Sequence, residues 1–409
     1  MSVSARTHTS PAQYEQASSH GKSQDHRRNL LLRLSGAFAL IVVFALTFEL
    51  TCRVEDWVMY RMPLASPYRS VEDLIIRDAD GMHGRPNAQF QKWIMNNVGT
   101  RGPRASLLPV SGTVRIITVG ASETFGLRES PGHEYPRQLE DSLNARLRNG
   151  ACPARADLRV EVLNAAFAGM TLPTIQQDVR NRLVRLHPAV VVAYPSPASY
   201  LEAERPVAAR PDSSPNAGVI GSRAMLHPRA IDRLRDQLKE MLPTAIKSWL
   251  RQRETDAARA GVAGPLFSTP PADRLSAFEV DVRQLISGIR AIGSAPVLVT
   301  HANAFVGRRT IDGDKLIAWE KFFPRTTGAT LVAFDSLSRS VEFSVAAESG
   351  AVVVDATRRL ASAPDSAFAD YEHFADLGAA LMASAIADGV LATEPLARIC
   401  SRAQAHFGN

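Results

Sequence analysis

Apolar residues in this chain fall into one long uninterrupted run, a series of short β-branched runs, and helical stripes between them. The long run is Leu30 to Leu50, 21 residues broken only by Arg33, Glu49 and a few small polar groups. It is long enough to cross a hydrocarbon layer of about 30 Å, and its two charges lie near its ends, where they reach the interface. The short runs are Ile116–Val119, Val160–Asn164, Ala189–Tyr194, Pro296–Thr300 and Ala351–Asp355. They are continuous rather than alternating, as expected of strands covered on both faces. Between them, Pro136–Leu147 places Leu139, Leu143 and Leu147 on one helical face, and Gln176–Leu186, Phe278–Ile292, Leu316–Phe323 and Asp376–Leu391 also read as helices. This alternation predicts an α/β domain around a parallel sheet of about five strands with right-handed crossovers.

The rhythm breaks over about residues 202–275, an insertion rich in Pro, Arg and Ala. Inside it Ile231, Leu234, Leu238, Leu242, Ile246 and Trp249 form a helical stripe, with Pro243 expected to kink it. A helix packed over the sheet edge is favoured there over one lying on a membrane surface. Residues 1–29 are polar without an apolar period and are expected to be disordered; 30–50 is the anchor. A membrane-proximal segment follows over 51–110, then the α/β domain over 111–392 and a tail over 393–409.

Composition adds little to this picture: 409 residues, 45% hydrophobic and 22% charged, are ordinary for a folded protein. The net charge of +6 comes partly from Arg-rich termini without aromatic interleaving, which points to a membrane or acidic surface and away from nucleic acid. No small-residue cleavage site directly follows the apolar run, so an anchor is favoured over a cleaved signal peptide. Lys22, Arg27, Arg28 and Arg33 precede or open the span, while Arg53 is followed by Glu55 and Asp56. The positive-inside bias therefore places the amino terminus in the cytoplasm and everything after residue 53 outside it. The expected location is the cytoplasmic membrane, crossed once, with the folded domain in the periplasm if the source is Gram-negative.

The chemistry begins at Ser122, which follows the first strand at Gly120 and stands at the carboxyl edge where open α/β sheets bind ligands. By itself Gly-x-Ser is weak, because a serine that begins a helix is more often a cap than a nucleophile. Position 124 is Thr, which excludes the Gly-x-Ser-x-Gly elbow of the ordinary α/β-hydrolases. Just before the last helix, Asp370-Tyr371-Glu372-His373 has a carboxylate three residues ahead of a histidine, so Asp370 can orient an imidazole that accepts a proton from Ser122. His301, alone at a strand end, reads as structural or substrate-facing. No cluster at zinc spacing is present in the sequence, and neither metal nor cofactor is expected.

With these residues in place, the chain resembles the SGNH/GDSL hydrolases from about Asn96 to the last helix. Gly120-Ala121-Ser122-Glu123-Thr124-Phe125-Gly126, followed by Tyr135-Pro136 and Leu139-Glu140, resembles the family's first block. Asn164-Ala165-Ala166-Phe167-Ala168-Gly169 resembles the second, and Asp370 to His373 the last. The stretch Asn96 to Gly102, a tight turn of obscure meaning on its own, is similar to a lead-in common among membrane-anchored members. The resemblance implies a flavodoxin-like, doubly wound sheet and ester hydrolysis or acyl transfer, often on acylated carbohydrate. It assigns Ser122 as nucleophile, His373 as base, Asp370 as its partner, and the amides of Ser122 and Gly169 as the oxyanion hole.

The chain departs from the family at the third block. Where an asparagine side chain is expected to face the oxyanion, ungapped matching puts Ala198, within Tyr194-Pro195-Ser196-Pro197-Ala198-Ser199. Loss of such a donor costs about 3 kcal/mol of transition-state stabilisation. Ser196, Ser199 and Asn303 are the candidate substitute donors. The function expected is thus a membrane-anchored serine esterase or acyl-transfer enzyme acting outside the cytoplasm on an O-acyl ester, with polysaccharide a candidate substrate. The alternative is a catalytically silent binding module or acyltransferase partner on the same fold. Of three cysteines, Cys52 lies at the membrane boundary; Cys152, after the serine helix, and Cys400, after the last helix, remain as the expected disulfide of an oxidising compartment.

This topology predicts that a reporter active only outside the cytoplasm works when fused after Asn409 and fails at the amino terminus. The reverse pattern, read as reporter activity in intact cells, would refute the orientation.

Overall fold

A computed structural model describes residues 11–153, 155, 157–202, 204–210, 228–262, 266–308 and 311–401, with side chains from residue 28 onward except 29. The chain divides into two compact units. One comprises residues up to Leu64 together with Pro228–Glu240; the other comprises Ala65–His227 and Met241 onward.

The first unit is built on one helix of 50 residues, α1 (Pro11–Tyr60). Its stretch from Leu30 to Tyr60 is the one described helix that passes alone the length and composition test for a membrane span, and its apolar side chains are exposed. The helix also takes in residues 11–29, expected to be disordered. Good helix formers such as Ala12, Gln13, Glu15 and Gln16 continue a helix that the apolar run has already nucleated, and extension needs no new nucleus. Pro63 follows its end, as a proline that cannot continue a helix should.

The second unit holds five parallel strands: β1 (Thr113–Gly120), β2 (Arg159–Asn164), β3 (Val190–Tyr194), β4 (Ala295–Val299) and β5 (Val352–Val354). Their order is 2-1-3-4-5, the flavodoxin-like arrangement, with ligand sites favoured at the carboxyl ends where the winding reverses. Alternate residues serve two separate cores. Ile116, Val190, Val192 and Val297 face α2 (Tyr135–Arg146) and α7 (Asp376–Leu391), which a short helix, Glu394–Ser401, follows. Ile117, Val191 and Leu298 face α3 (Leu172–Asn181), α4 (Ala272–Ala291) and α6 (Gly328–Ser349). Helix α5 (Gly313–Phe322) precedes α6.

Sequence periodicity located all five strands and most of these helices, but not the 22-residue α6. The stripe in the insertion is two helices, Arg229–Met241 and Thr244–Ala260, broken at Pro243. The first of them belongs with α1 in the other unit. The second lies against α5: Ser248 Oγ donates to Asp314 at 2.8 Å and Arg259 to Glu320 at 2.6 Å. Residues 51–110 contain two small antiparallel hairpins, Ile75–Asp78 with Gly81–Gly84 and Gln89–Phe90 with Trp93–Ile94.

Cys152 and Cys400 are joined by a disulfide with Cα atoms 4.8 Å apart, so the segments following α2 and α7 are tied on one side of the sheet.

Arg115 is an unusual occupant for the middle of a buried strand. Its guanidinium, fully covered, donates to Glu161 Oε2 at 2.8 Å and to the carbonyls of Ser106, Leu107 and Leu186 at 2.7–2.8 Å. It ties the chain entering the sheet to the turn before β3. Arg115→Met leaves those acceptors unpaired and should destabilise the fold by about 3 kcal/mol or more. Arg115→Lys, which keeps the charge but loses the planar fork, should fall between. Denaturation midpoints of the detergent-solubilised chain measure both; a wild-type midpoint for Arg115→Met would show that the clamp carries no stability.

Candidate active site

Strand β1 ends at Gly120, and a single helical turn, Ser122–Phe125, begins at once. The closeness of that turn requires glycine: a Cβ at position 120 would lie 2.2 Å from Thr124 Oγ1 and 2.9 Å from the Tyr194 carbonyl. Ser122 is thereby held at the carboxyl edge of the sheet, on a cleft of about 790 Å³. Gly169, at φ +79°, and His373 with Asp370 line the same cleft. Four of the expected site residues therefore meet in one place, brought there by the ends of β1 and β2 and by the loop before α7.

The loop geometry is specific. Asp370 Oδ1 accepts the backbone N–H of both Glu372 and His373, at 3.1 and 2.9 Å, and both its oxygens lie 2.9 Å from His373 Nδ1. Burial works against both charges, but the hydrogen bond between them prevails: the Asp370 carboxyl is held down to about 2 and the His373 imidazole is raised to about 9. Asp370 thus holds a proton on Nδ1 in both charge states of the ring, and buried Nε2 has no protein partner. Arg128 adds a 3.3 Å contact to Asp370 Oδ2 from its exposed side.

Among the described residues, the N–H groups of Ser122 and Gly169 make no hydrogen bond, which leaves both amides available to an oxyanion. Of the candidate substitute donors, Ser196 and Ser199 line the cleft, and Ser199 Oγ reaches the Ser196 carbonyl at 3.4 Å. Asn303 does not serve: its amide nitrogen donates to Asp335 at 2.8 Å and its oxygen accepts from the Phe305 N–H at 3.0 Å, behind the site. Ala198 is buried.

Sequence reasoning missed what stands behind Ser122. The Ser122 hydroxyl donates to Glu123 Oε2 at 3.3 Å, and Glu123 is 1% exposed. Its other oxygen lies 3.2 Å from His301 Nε2, and His301 Nδ1 lies 2.5 Å from Asp335 Oδ1. Asp335 also takes Arg339. Burial again opposes ionisation, yet Asp335 and Glu123 hold the His301 imidazole protonated and His301 keeps Glu123 below the usual carboxylate range. Glu372 and Glu342 complete the cluster as acids whose burial pushes each up to about 8. Atoms of Glu123, His301 and Glu372 lie within 4.8 Å of one another, a grouping the sequence did not show, but a protonated His301 has no lone pair to offer a metal. Its signal was available only as separate letters, because Glu123, His301, Asp335 and Glu372 come from four elements.

The stretch Asn96 to Gly102 also gains a purpose. The Arg101 side chain is buried and donates to the carbonyls of Phe125 and Gly126 and, at 3.2 Å, to Glu134, capping the end of the serine turn. Its backbone N–H donates to the Asn164 carbonyl at 2.8 Å, and Asn164 Nδ2 donates to the Thr124 carbonyl at 2.9 Å. The turn carrying Ser122 is thus held from behind by the lead-in and the second block together.

No family profile matches the chain, and no curated protein matches it. Among solved structures, it is similar to an acetyl xylan esterase from Geobacillus stearothermophilus at 13% identity, covering 70% of this chain and 97% of that one, with a TM-score of 0.38. It is similar also to a lipase/acylhydrolase from Enterococcus faecalis at 14% identity, covering 68% of this chain and 95% of that one, with a TM-score of 0.39.

Asp370 is what sustains the charge on His373. In histidine NMR of the detergent-solubilised chain, the His373 resonance should titrate near 9 in wild type and at clearly lower pH in Asp370→Asn. An unchanged midpoint would show that Asp370 does not set the imidazole's proton affinity.

Proposed function

We propose that the chain is a membrane-anchored serine hydrolase of the SGNH type that cleaves or transfers an O-acyl group outside the cytoplasm. The observation that carries this reading is the convergence of Ser122, Gly169 and an Asp370-oriented His373 with a free Nε2 on one cleft. In the reaction Ser122 exchanges its contact with Glu123 for His373 Nε2. Its Oγ then attacks the acyl carbonyl carbon, and its proton passes to Nε2. The amides of Ser122 and Gly169 hold the oxyanion, and Ser196 at the cleft wall supports the replacement of the missing asparagine. Collapse expels the alcohol, which takes the proton from His373, and leaves an acyl ester on Ser122. Water or a sugar hydroxyl then attacks that ester with His373 as base again, and Ser122 Oγ leaves the acyl carbon and takes the proton back from Nε2.

The cleft walls suit an acylated polar substrate. Apolar Met170 and Phe322 stand beside charged Arg251, Lys315 and Asp314, so a short acyl chain and a polyhydroxylated carrier both find complementary surface. The disulfide between Cys152 and Cys400 and the basic residues preceding the span both support placement of this unit in an oxidising compartment.

The test is hydrolysis of a short-chain aryl ester by the detergent-solubilised chain, together with labelling by a serine-reactive phosphonate. Ser122→Ala and His373→Ala should each reduce turnover by on the order of 10³-fold or more, since triad members act as a unit. The phosphonate adduct should map to Ser122. The neutral form of His373 is the base, and its charged form persists up to about 9, so kcat/KM should climb with pH across the neutral range and level off above 9. A profile already flat at pH 7 would show that His373 is not held protonated as far as pH 9. Equal turnover in wild type and Ser122→Ala, with no adduct, would favour the silent binding module.

A further inference from the structure

The first helix of the insertion, Arg229–Met241, presents an apolar arc that no described residue of its own unit covers. Ile231, Leu234 and Leu238 are 57%, 49% and 56% exposed. At about 100° per residue they fall within a narrow arc, while Asp236 and Glu240 lie on the opposite side.

The helix is attached to α1 by its other flank. Asp56, 2% exposed, accepts from Arg229 and, at 3.2 Å, from Arg233, which also meets Glu55 at 3.3 Å. The Ala230 N–H donates to Glu49 Oε2 at 3.0 Å. Arg229, Ala230 and Arg233 centre roughly a third of a turn from the apolar arc, so docking on α1 leaves that arc free.

The height of this attachment decides what covers the arc. The uninterrupted apolar run of α1 ends at Leu50, and residues 49–56 rise about 10 Å along the helix axis, close to the depth of one headgroup layer. Trp57 and Met59, 46% and 64% exposed, continue α1 at that level, as expected of a membrane border. A helix fixed there sits between acyl chains on one side and water on the other.

We propose that Arg229–Met241 lies in the plane of the membrane surface beside the anchor, with Ile231, Leu234 and Leu238 inserted at the headgroup and acyl-chain boundary. The proposal rests on the reading of α1 as a membrane span. Its partner is the bilayer itself. Arg235 borders the apolar arc, where its stem can follow the lipid while its charge reaches phosphate. The buried Asp56 pairing sets the rotation of the helix about its own axis and so aims the arc at the lipid.

The experiment uses the full chain with Cys52→Ser, reconstituted into phosphatidylethanolamine and phosphatidylglycerol vesicles. Single nitroxide labels are placed through Ile231→Cys, Leu234→Cys, Leu238→Cys, Asp236→Cys and, within the anchor, Phe38→Cys. Collision with oxygen, which concentrates in lipid, is compared with collision with a water-soluble nickel complex. The expected result is an oxygen-to-nickel ratio at 231, 234 and 238 several-fold above that at 236 and of the same kind as that at 38. A nickel-dominated ratio at those three positions, with a lipid ratio at 38, would overturn the surface helix and leave the anchor standing. Low collision with both reagents would overturn it in favour of protein cover, by a second copy or another partner. A nickel-dominated ratio at 38 would overturn the span itself, and the proposal with it.

Discussion

A carboxylate that is almost wholly buried and next in sequence to Ser122 constrains everything behind this site. Glu123 occupies the first turn after β1, where solvent does not reach it, and an isolated ion there would cost several kcal/mol. His301 answers it from the end of β4, Asp335 answers His301 from α6, and Arg339 and Asn303 answer Asp335. Each addition draws in another element, until the serine turn, the fourth strand and the longest helix of the domain share one network. A network satisfied in this way rigidifies its members, because any one leaving strands the others in a low-dielectric interior. The Ser122 hydroxyl joins this network to the cleft.

Much of the fold could be read from the sequence because its strands are covered on both faces. Ile116–Ile117 and Val190–Val191–Val192 each supply two cores with consecutive residues, and that requirement writes a continuous apolar run that few other structures need. Helix α6 escaped for the reason that makes it important. Its buried face includes Thr330, Asp335, Ser338 and Glu342 beside Leu331, Phe334 and Val345, so half of the stripe is polar and hydrophobic periodicity falls silent. Ser122, Asp370 and His373 stood out through spacing and resemblance. Glu123 and Glu372 sat beside them in the same motifs without a reason to be singled out, since burial alone gives them their part. The insertion shows the opposite failure: its apolar stripe was plain in the sequence, but nothing local says which surface a stripe will meet.

Two arginines illustrate how far residue type misleads when geometry is absent. Arg101 and Arg115 would each be placed on a wet surface by composition, yet both are buried and both are surrounded by main-chain carbonyls. A guanidinium with five donors can close several open carbonyl groups at once, which a lysine cannot do. Arg101 thereby stiffens the end of the serine turn, and Arg115 does the same for the entry to the sheet.

The disulfide imposes an order on the biogenesis of this chain. Cys152 follows the first helix after Ser122, whereas Cys400 comes after all five strands, 248 residues later. Synthesis runs from the amino terminus, so the earlier thiol is made while most of the sheet is still to come, and its partner arrives last. The bond can therefore act only as a latch on a nearly finished domain, never as a scaffold for building it. Cys152 has to wait while the 248 residues that separate it from Cys400 are made. The central strand order, in which β1 lies between β2 and β3, lets the first three strands assemble during that wait.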